Sequence, residues 1–352
     1  MTIKLKTSFI TFMGLLLLFG CTSRPEDGVI KKETVLNNTT GEADLQHTEG
    51  YITTDTTNMQ LWYDIFGDTN NPKVLLIHGT DAQGISWQPH LYEQIVNAGY
   101  CVIRFDGRDC GLSERFGKPK GFKPGKWTPE QEPPYPLEDM ADDTIGLLEK
   151  LNVKKAHLVG HSQGGMIAQV IAIKHPDLVI SLSLLSTSPS NTFDETYGIP
   201  DQDLIDDFIM LSKKLGFNGV FWPITRKKVL KLQKIFFEKI DTDLIVPEAG
   251  IILGNFVNKM FSNGRKPNPM SWEGLALASA KSRVESLNKL DIPTLVIHGD
   301  NDIWIGYVHG KALADNIPNA KLLTVKEGGH FFPFLDKYND YIVEMINNFQ
   351  GE

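Results

Sequence analysis

Cysteine is scarce in this chain: 352 residues hold three, Cys21, Cys101 and Cys110. No Cys-x-x-Cys and no His-Glu-x-x-His occurs, so the familiar zinc-ligand spacings are missing and no metal is expected. Gly-x-Gly-x-x-Gly is absent as well, which removes the dinucleotide fingerprint, and no organic cofactor is expected. No segment repeats at a fixed period, which argues against a solenoid. There is no basic stripe, and the net charge is −8, so nucleic acid is not an expected partner.

What is present suits a packed α/β protein. Hydrophobic residues make up 41% and charged residues 22%, which permits a core and argues against wholesale disorder. The first twenty residues carry Lys4 and Lys6, no acid, and an apolar run from Phe9 to Gly20 too short to span a bilayer as a stable helix. Residues 1–20 therefore read as a signal peptide. Leu18-Phe19-Gly20-Cys21 resembles a bacterial lipobox, although Phe19 is bulkier than the usual residue there. That resemblance implies cleavage before Cys21 and lipid attachment to it, hence a lipid-anchored protein of the cell envelope, on its periplasmic or surface face. Residues 21–49, rich in Thr, Asn, Glu and Asp, read as a flexible tether. In such an oxidising compartment Cys101 and Cys110 could pair.

From about residue 50 the pattern becomes regular. A hairpin is expected across Thr53 and 60–65, turning near Thr57-Asn58. Buried strands are expected at 73–77, 100–106, 182–186, 294–300 and 321–325, with helices at 91–98, 137–151, 307–316 and 338–349. Residues 117–136, rich in Pro and Lys and including Trp127, read as a loop. Strand–helix alternation predicts a mostly parallel sheet covered on both faces. It breaks between 189 and 288, where helices at 203–215, 226–239, 247–261 and 272–282 read as a helical cap inserted into a core made of 50–188 and 289–352.

The chemistry centres on Gly160-His161-Ser162-Gln163-Gly164, which follows the apolar Leu158-Val159 and precedes a helical pattern. Gly-x-Ser-x-Gly alone also fits an ordinary turn. Between a strand and a helix it fits a nucleophile elbow, in which glycines let strand and helix approach and the serine stands at a helix N-terminus. A serine hydroxyl needs a base to become a nucleophile. His330, after Gly328-Gly329, is the candidate, and Asp302 or Asp300, beyond the strand at 294–300, is the candidate acid.

Together, His78-Gly79, the run Asp106-x-Arg108-x-x-Gly111-x-Ser113, the elbow, His298-Gly299-Asp300-Asn301-Asp302 and Gly328-Gly329-His330 resemble the α/β-hydrolase superfamily over about residues 50–350. The Asp106–Ser113 run is similar to that of the aclacinomycin methylesterase-type branch. The resemblance implies an α/β-hydrolase fold with an inserted cap and a serine hydrolase that cleaves carboxylic esters. It favours Asp302 as the acid, leaving Asp300 to cap the turn and His298 to support the acid loop. The expected catalytic residues are thus Ser162, Asp302 and His330, with backbone N–H groups of Thr80 and Gln163 as the oxyanion hole. Asp106 and Arg108 are expected to lock their loop as a pair. Trp87, Trp127, Phe221, Trp222 and Trp304 are candidates to line an apolar pocket, with Trp87 and Trp222 preferred, and the expected partner is a small-molecule ester. A carbon–carbon bond hydrolase and a cofactor-free haloperoxidase share every one of these positions, and a non-catalytic lipoprotein that binds a ligand remains a reading of another class.

Overall fold

The computed structural model describes residues 45, 47–80, 82–116, 134–191, 194–197, 272–302, 304–330, 332–334 and 339–348. Cys21, Trp127, Phe221 and Trp222, the signal peptide, nearly all of the tether and most of the expected cap lie outside these residues.

Eight strands form one sheet: β1 (His47–Thr53), β2 (Gln60–Phe66), β3 (Lys73–Ile77), β4 (Cys101–Phe105), β5 (Ala156–His161), β6 (Val179–Leu185), β7 (Thr294–Gly299) and β8 (Lys321–Val325). Their spatial order is β1-β2-β4-β3-β5-β6-β7-β8. β1 and β2 pair antiparallel, as do β2 and β4, and the remaining six strands run parallel from β4 to β8. The α-helices among the described residues are α1 (Pro89–Asn97), α2 (Leu137–Lys150), α3 (Gln163–Lys174), α4 (Trp272–Ser279), α5 (Val284–Leu287), α6 (Tyr307–Asn316) and α7 (Asn339–Asn348).

The central strands are buried along nearly their whole length because both faces are covered, and their apolar side chains alternate between two cores. Leu75 and Ile77 of β3 and Leu158 of β5 join one core, with Met140 and Leu147 of α2 and Met166 of α3. Val74, Leu76 and Val159 face the other, with Leu91 of α1 and Ile342 of α7. A parallel sheet covered this way exposes its loops at one edge, the carboxyl ends of the strands, where ligands are bound in open α/β sheets.

This architecture corrects one expectation and answers whether the two core thiols pair. β1 begins at His47, inside the segment read as tether. Its polar residues have partners on β2: His47 Nδ1 donates to Asp64 at 2.8 Å, and Trp62 Nε1 donates to Glu49 at 3.2 Å. Cys101 and Cys110 are not joined in a disulfide. Cys101 pairs in register with Lys73 at the start of β4, whereas Cys110 lies beyond the far end of that strand, 3.4 Å from His78. Four strand steps of about 3.3 Å separate the ends of β4, too far for one disulfide.

Candidate active site

The turn from β5 into α3 is forced by its residues. Ser162 has φ 55° and ψ −121°, a conformation that side chains seldom adopt and that sharp functional turns store. A Cβ on Gly160 would sit 2.4 Å from the carbonyl oxygen of Gly164, and one on Gly164 would sit 2.1 Å from that of Ile77. Only glycine permits strand and helix to come this close. The turn is held by Ser162 N–H donating to Leu185 at 2.9 Å and Thr187 Oγ1 donating to the Ser162 carbonyl at 2.6 Å.

The close approach at Gly164 also brings the end of β3 against the elbow. A Cβ on Gly79 would lie 3.1 Å from that of Ser162, so Gly79-Thr80 borders the serine. Gln163 follows Ser162 at the first position of α3, where backbone N–H groups have no partner within the helix. The Gln163 side chain donates to the Glu273 carbonyl at 2.8 Å, fastening the first turn of α4 to the elbow.

The carboxyl ends of β7 and β8 supply the other two groups. His330 Nδ1 donates to Asp302 Oδ2 at 2.8 Å, while Asp302 Oδ1 accepts the N–H groups of Trp304 and Ile305, each at 2.9 Å. His298 Nε2 donates to the Ile305 carbonyl at 2.7 Å and lies 3.4 Å from Asp302 Oδ2, so it does brace this loop. Burial alone would raise the Asp302 carboxyl; the charge of His330 and the hydrogen bonds from His298 and His330 instead hold it well below the usual carboxylate range. Asp300 turns away and accepts the Glu327 N–H at 2.6 Å. On the elbow side, His161 Nε2 donates to the His330 carbonyl at 2.9 Å, and the two imidazole rings are 4.9 Å apart. Ser162, Asp302 and His330 therefore gather at one edge of the sheet, each no more than 7% exposed.

Asp106 and Arg108 do lock their loop, but through other partners than each other. Asp106 accepts the N–H groups of Gly84 and Leu112, each at 2.8 Å. Gly111, at φ +53°, makes this possible, because a Cβ there would lie 1.9 Å from the Asp106 carboxylate. Arg108 forms a two-pronged pair with Asp143 of α2, at 2.6 and 2.8 Å, and lies over the Tyr135 ring. Tyr135 in turn donates to Asp109 at 2.5 Å.

Trp87 is a core residue. It is fully buried with Val74, Leu76 and Leu91, which removes it from the expected pocket lining. Trp304 is likewise buried, in the other core. A cavity lies between β3, α2 and α3, lined among others by Ile77, His78, Gly107, Arg108, Asp143 and Gln163.

Among the described residues one group has the makings of a metal site: His78, Cys110 and Glu273, whose ligand atoms lie within 4.8 Å of one another. Nδ1 of His78 donates to the Gly79 carbonyl at 2.8 Å, and Nε2 accepts the Gly107 N–H at 3.0 Å. The lone pair a metal would need is thus already engaged. Burial lowers the pKa of His78, against the raising effects of the Gly79 hydrogen bond and the Asp106 charge.

Sequence reasoning passed over His161, Asp143 and Glu273. His161 occupies a variable position of the motif, and the other two lie far along the chain from their contacts, so no local pattern marks them.

Comparison with known proteins agrees with this architecture. A family model described as alpha/beta hydrolase fold matches residues 72–337. The chain is 25% identical to rhodomycin D methylesterase DauP of Streptomyces sp. (strain C5) over 296 residues, covering 78% of this chain and 89% of that one. Among solved structures, the esterase EaEST from Exiguobacterium antarcticum superposes with a TM-score of 0.63 at 22% identity, covering 86% of this chain and 99% of the other. The bromoperoxidase from Bacillus anthracis gives 0.62 at 21% identity, covering 85% and 100%.

Proposed function

The chain belongs to the alpha/beta hydrolase fold family and is a hydrolase; within that family we propose that it cleaves carboxylic esters of small to medium apolar molecules through an acyl-enzyme on Ser162. The observation that carries the reading is the Asp302–His330 pair beside a serine held at positive φ on an elbow. In this reading His330 takes the Ser162 proton as the oxygen attacks the ester carbonyl carbon. The electron pair displaced onto the carbonyl oxygen is met by the N–H groups of Gln163 and Thr80, each such donor contributing about 10²–10³ in rate. Collapse of the tetrahedral intermediate breaks the ester C–O bond, and the leaving alkoxide receives the proton from His330. Water then repeats the sequence on the acyl-enzyme and returns Ser162. Asp302 keeps the Nδ1–H tautomer of His330 and stabilises its charged form.

The relatives add weight to an ester substrate, since DauP is named a methylesterase. Trp222, outside the described residues, remains the candidate for lining the apolar part of the pocket. The lipobox-like stretch supports attachment of the protein to a membrane of the bacterial envelope through lipid on Cys21. Hydrolysis of p-nitrophenyl esters by the wild type and by Ser162→Ala tests the reaction: the variant should lose turnover, and equal rates would end this assignment.

A further inference from the structure

The side chain and the backbone of His330 are anchored separately. The side chain is fixed by Asp302 at 2.8 Å. The backbone is fixed by His161, whose Nε2 donates to the His330 carbonyl at 2.9 Å. His161 is the residue immediately before Ser162, so this bond joins the strand that carries the serine directly to the loop that carries the imidazole. We propose that His161 is a positioning residue of the hydrolase: it sets the distance between His330 and Ser162 by tying the β8 loop to the elbow. The proposal rests on the assignment of Ser162 and His330 given above.

The chemistry of His161 suits a fixed tie. A carbonyl oxygen only accepts, so Nε2 carries a proton, and in the neutral ring Nδ1 does not. Burial, and next the neighbouring charge of His330, lower its pKa to about 3, so the ring stays neutral and keeps that tautomer at working pH. A neutral ring also avoids repelling His330 when it becomes positively charged during the reaction. The loop needs such a tie because two glycines, Gly328 and Gly329, precede His330. Other fastenings include Asn301 N–H to the Gly328 carbonyl at 3.1 Å, Gly328 N–H to the Val325 carbonyl at 3.1 Å and Phe332 N–H to the Gly329 carbonyl at 3.5 Å, which run to the β7 loop, to β8 and within the loop itself. The His161 bond links this loop to the nucleophile strand.

The test compares His161→Leu, which fills similar space without a donor, with His161→Gln, whose amide N–H can reach the same carbonyl. A misplacement of about 1 Å at a reacting pair costs on the order of 10²-fold. On a p-nitrophenyl ester, His161→Leu should lose roughly 30- to 100-fold in kcat with KM little changed. His161→Gln should recover most of it, and the thermal midpoints should stay close to wild type. In proton NMR spectra, the low-field Nδ1–H resonance of His330 should shift in the Leu variant and return in the Gln variant. Wild-type kcat in His161→Leu, or equal losses in both variants with that resonance unmoved, overturns the proposal. The NMR arm requires no substrate, so it judges the tie even if wild-type protein proves inactive on esters, a result that would instead count against the ester-hydrolase reading. If the Leu variant does not fold, the kcat and resonance of the Gln variant decide: both close to wild type sustain the tie, and loss of both refutes it.

Discussion

Asp302 divides its carboxylate between two tasks: Oδ2 meets Nδ1 of His330 at 2.8 Å, while Oδ1 accepts the N–H groups of Trp304 and Ile305 at 2.9 Å. One oxygen builds the loop and the other orients the imidazole. Asp302→Asn keeps the shape but removes the charge that stabilises the imidazolium and selects its tautomer. We expect kcat on an ester substrate to fall by about 10²–10⁴-fold, with substrate binding much less affected. Steady-state kinetics beside a thermal melt separate this from unfolding, and a variant within a few-fold of wild type would contradict the role of Asp302.

Arg108 and Asp143 are both 2% exposed and bound in a two-pronged pair. Removing Arg108 leaves the buried Asp143 charge uncompensated, and removing Asp143 leaves Arg108 only the half-exposed Asp139 at 3.7 Å, so Arg108→Met or Asp143→Leu should each destabilise by about 3–5 kcal/mol. The double variant Arg108→Met, Asp143→Leu should recover a substantial part, because no charge is then left alone. Urea unfolding of the three proteins checks this, and simple additivity of the two losses would refute it.

Acid should weaken the fold before it protonates most carboxylates. Burial lowers the pKa of His157 from its ordinary 6.5 to about 4, and burial with the His330 charge lowers His161 to about 3. Below pH 6.5 the unfolded chain takes up protons at these two positions while the folded chain does not, so stability falls as pH falls. His47 acts with the opposite sign in the adjoining window: its hydrogen bond to Asp64 raises its pKa despite burial, so its contribution is complete below 6.5 and is lost as pH rises above that value. Urea midpoints should therefore drop steadily from pH 6.5 to 5. A flat profile there would contradict the burial of both imidazoles in neutral form.

Gly164→Ala tests the elbow itself. The added Cβ would meet the Ile77 carbonyl at 2.1 Å and that of His78 at 2.5 Å, both backbone atoms that cannot swing away. The variant should lose activity by at least about 10²-fold, the scale of removing one oxyanion donor, since the displaced strand end carries Thr80. Soluble variant protein with full turnover would show that strand and helix are not held this close.

Cys21→Ser addresses the envelope anchor. Palmitate incorporated metabolically into the wild type should vanish in the variant, and labelling that survives would rule out lipid on Cys21.

The parts of this molecule legible in its sequence are those whose cause is local. The elbow can be read because Gly160 is required by the backbone of Gly164, four residues on, even though Gly164 itself meets the distant Ile77 and His78, and the central strands because burial on both faces leaves unbroken apolar runs such as Val74–Ile77. Asp302 can be preferred over Asp300 only through family resemblance; the two carboxylates differ by which loop they face, which spacing does not encode. The partner of Arg108 was out of reach for the same reason: Asp143 lies 35 residues on, brought back by α2 packing on the sheet. Trp87 shows the opposite failure, since an aromatic residue beside a strand end looks alike whether it lines a pocket or fills a core. The start of β1 is not legible in the sequence because the partners of His47 and Glu49 lie on β2.

The account turns on Ser162 as the nucleophile, and the most direct measurement is mass mapping of the full-length protein after treatment with a fluorophosphonate probe. The account predicts a single phosphonyl adduct on the peptide containing Ser162, absent from Ser162→Ala and formed far more slowly by His330→Ala. Intact wild-type protein that carries no adduct, or carries it on another residue, would contradict it.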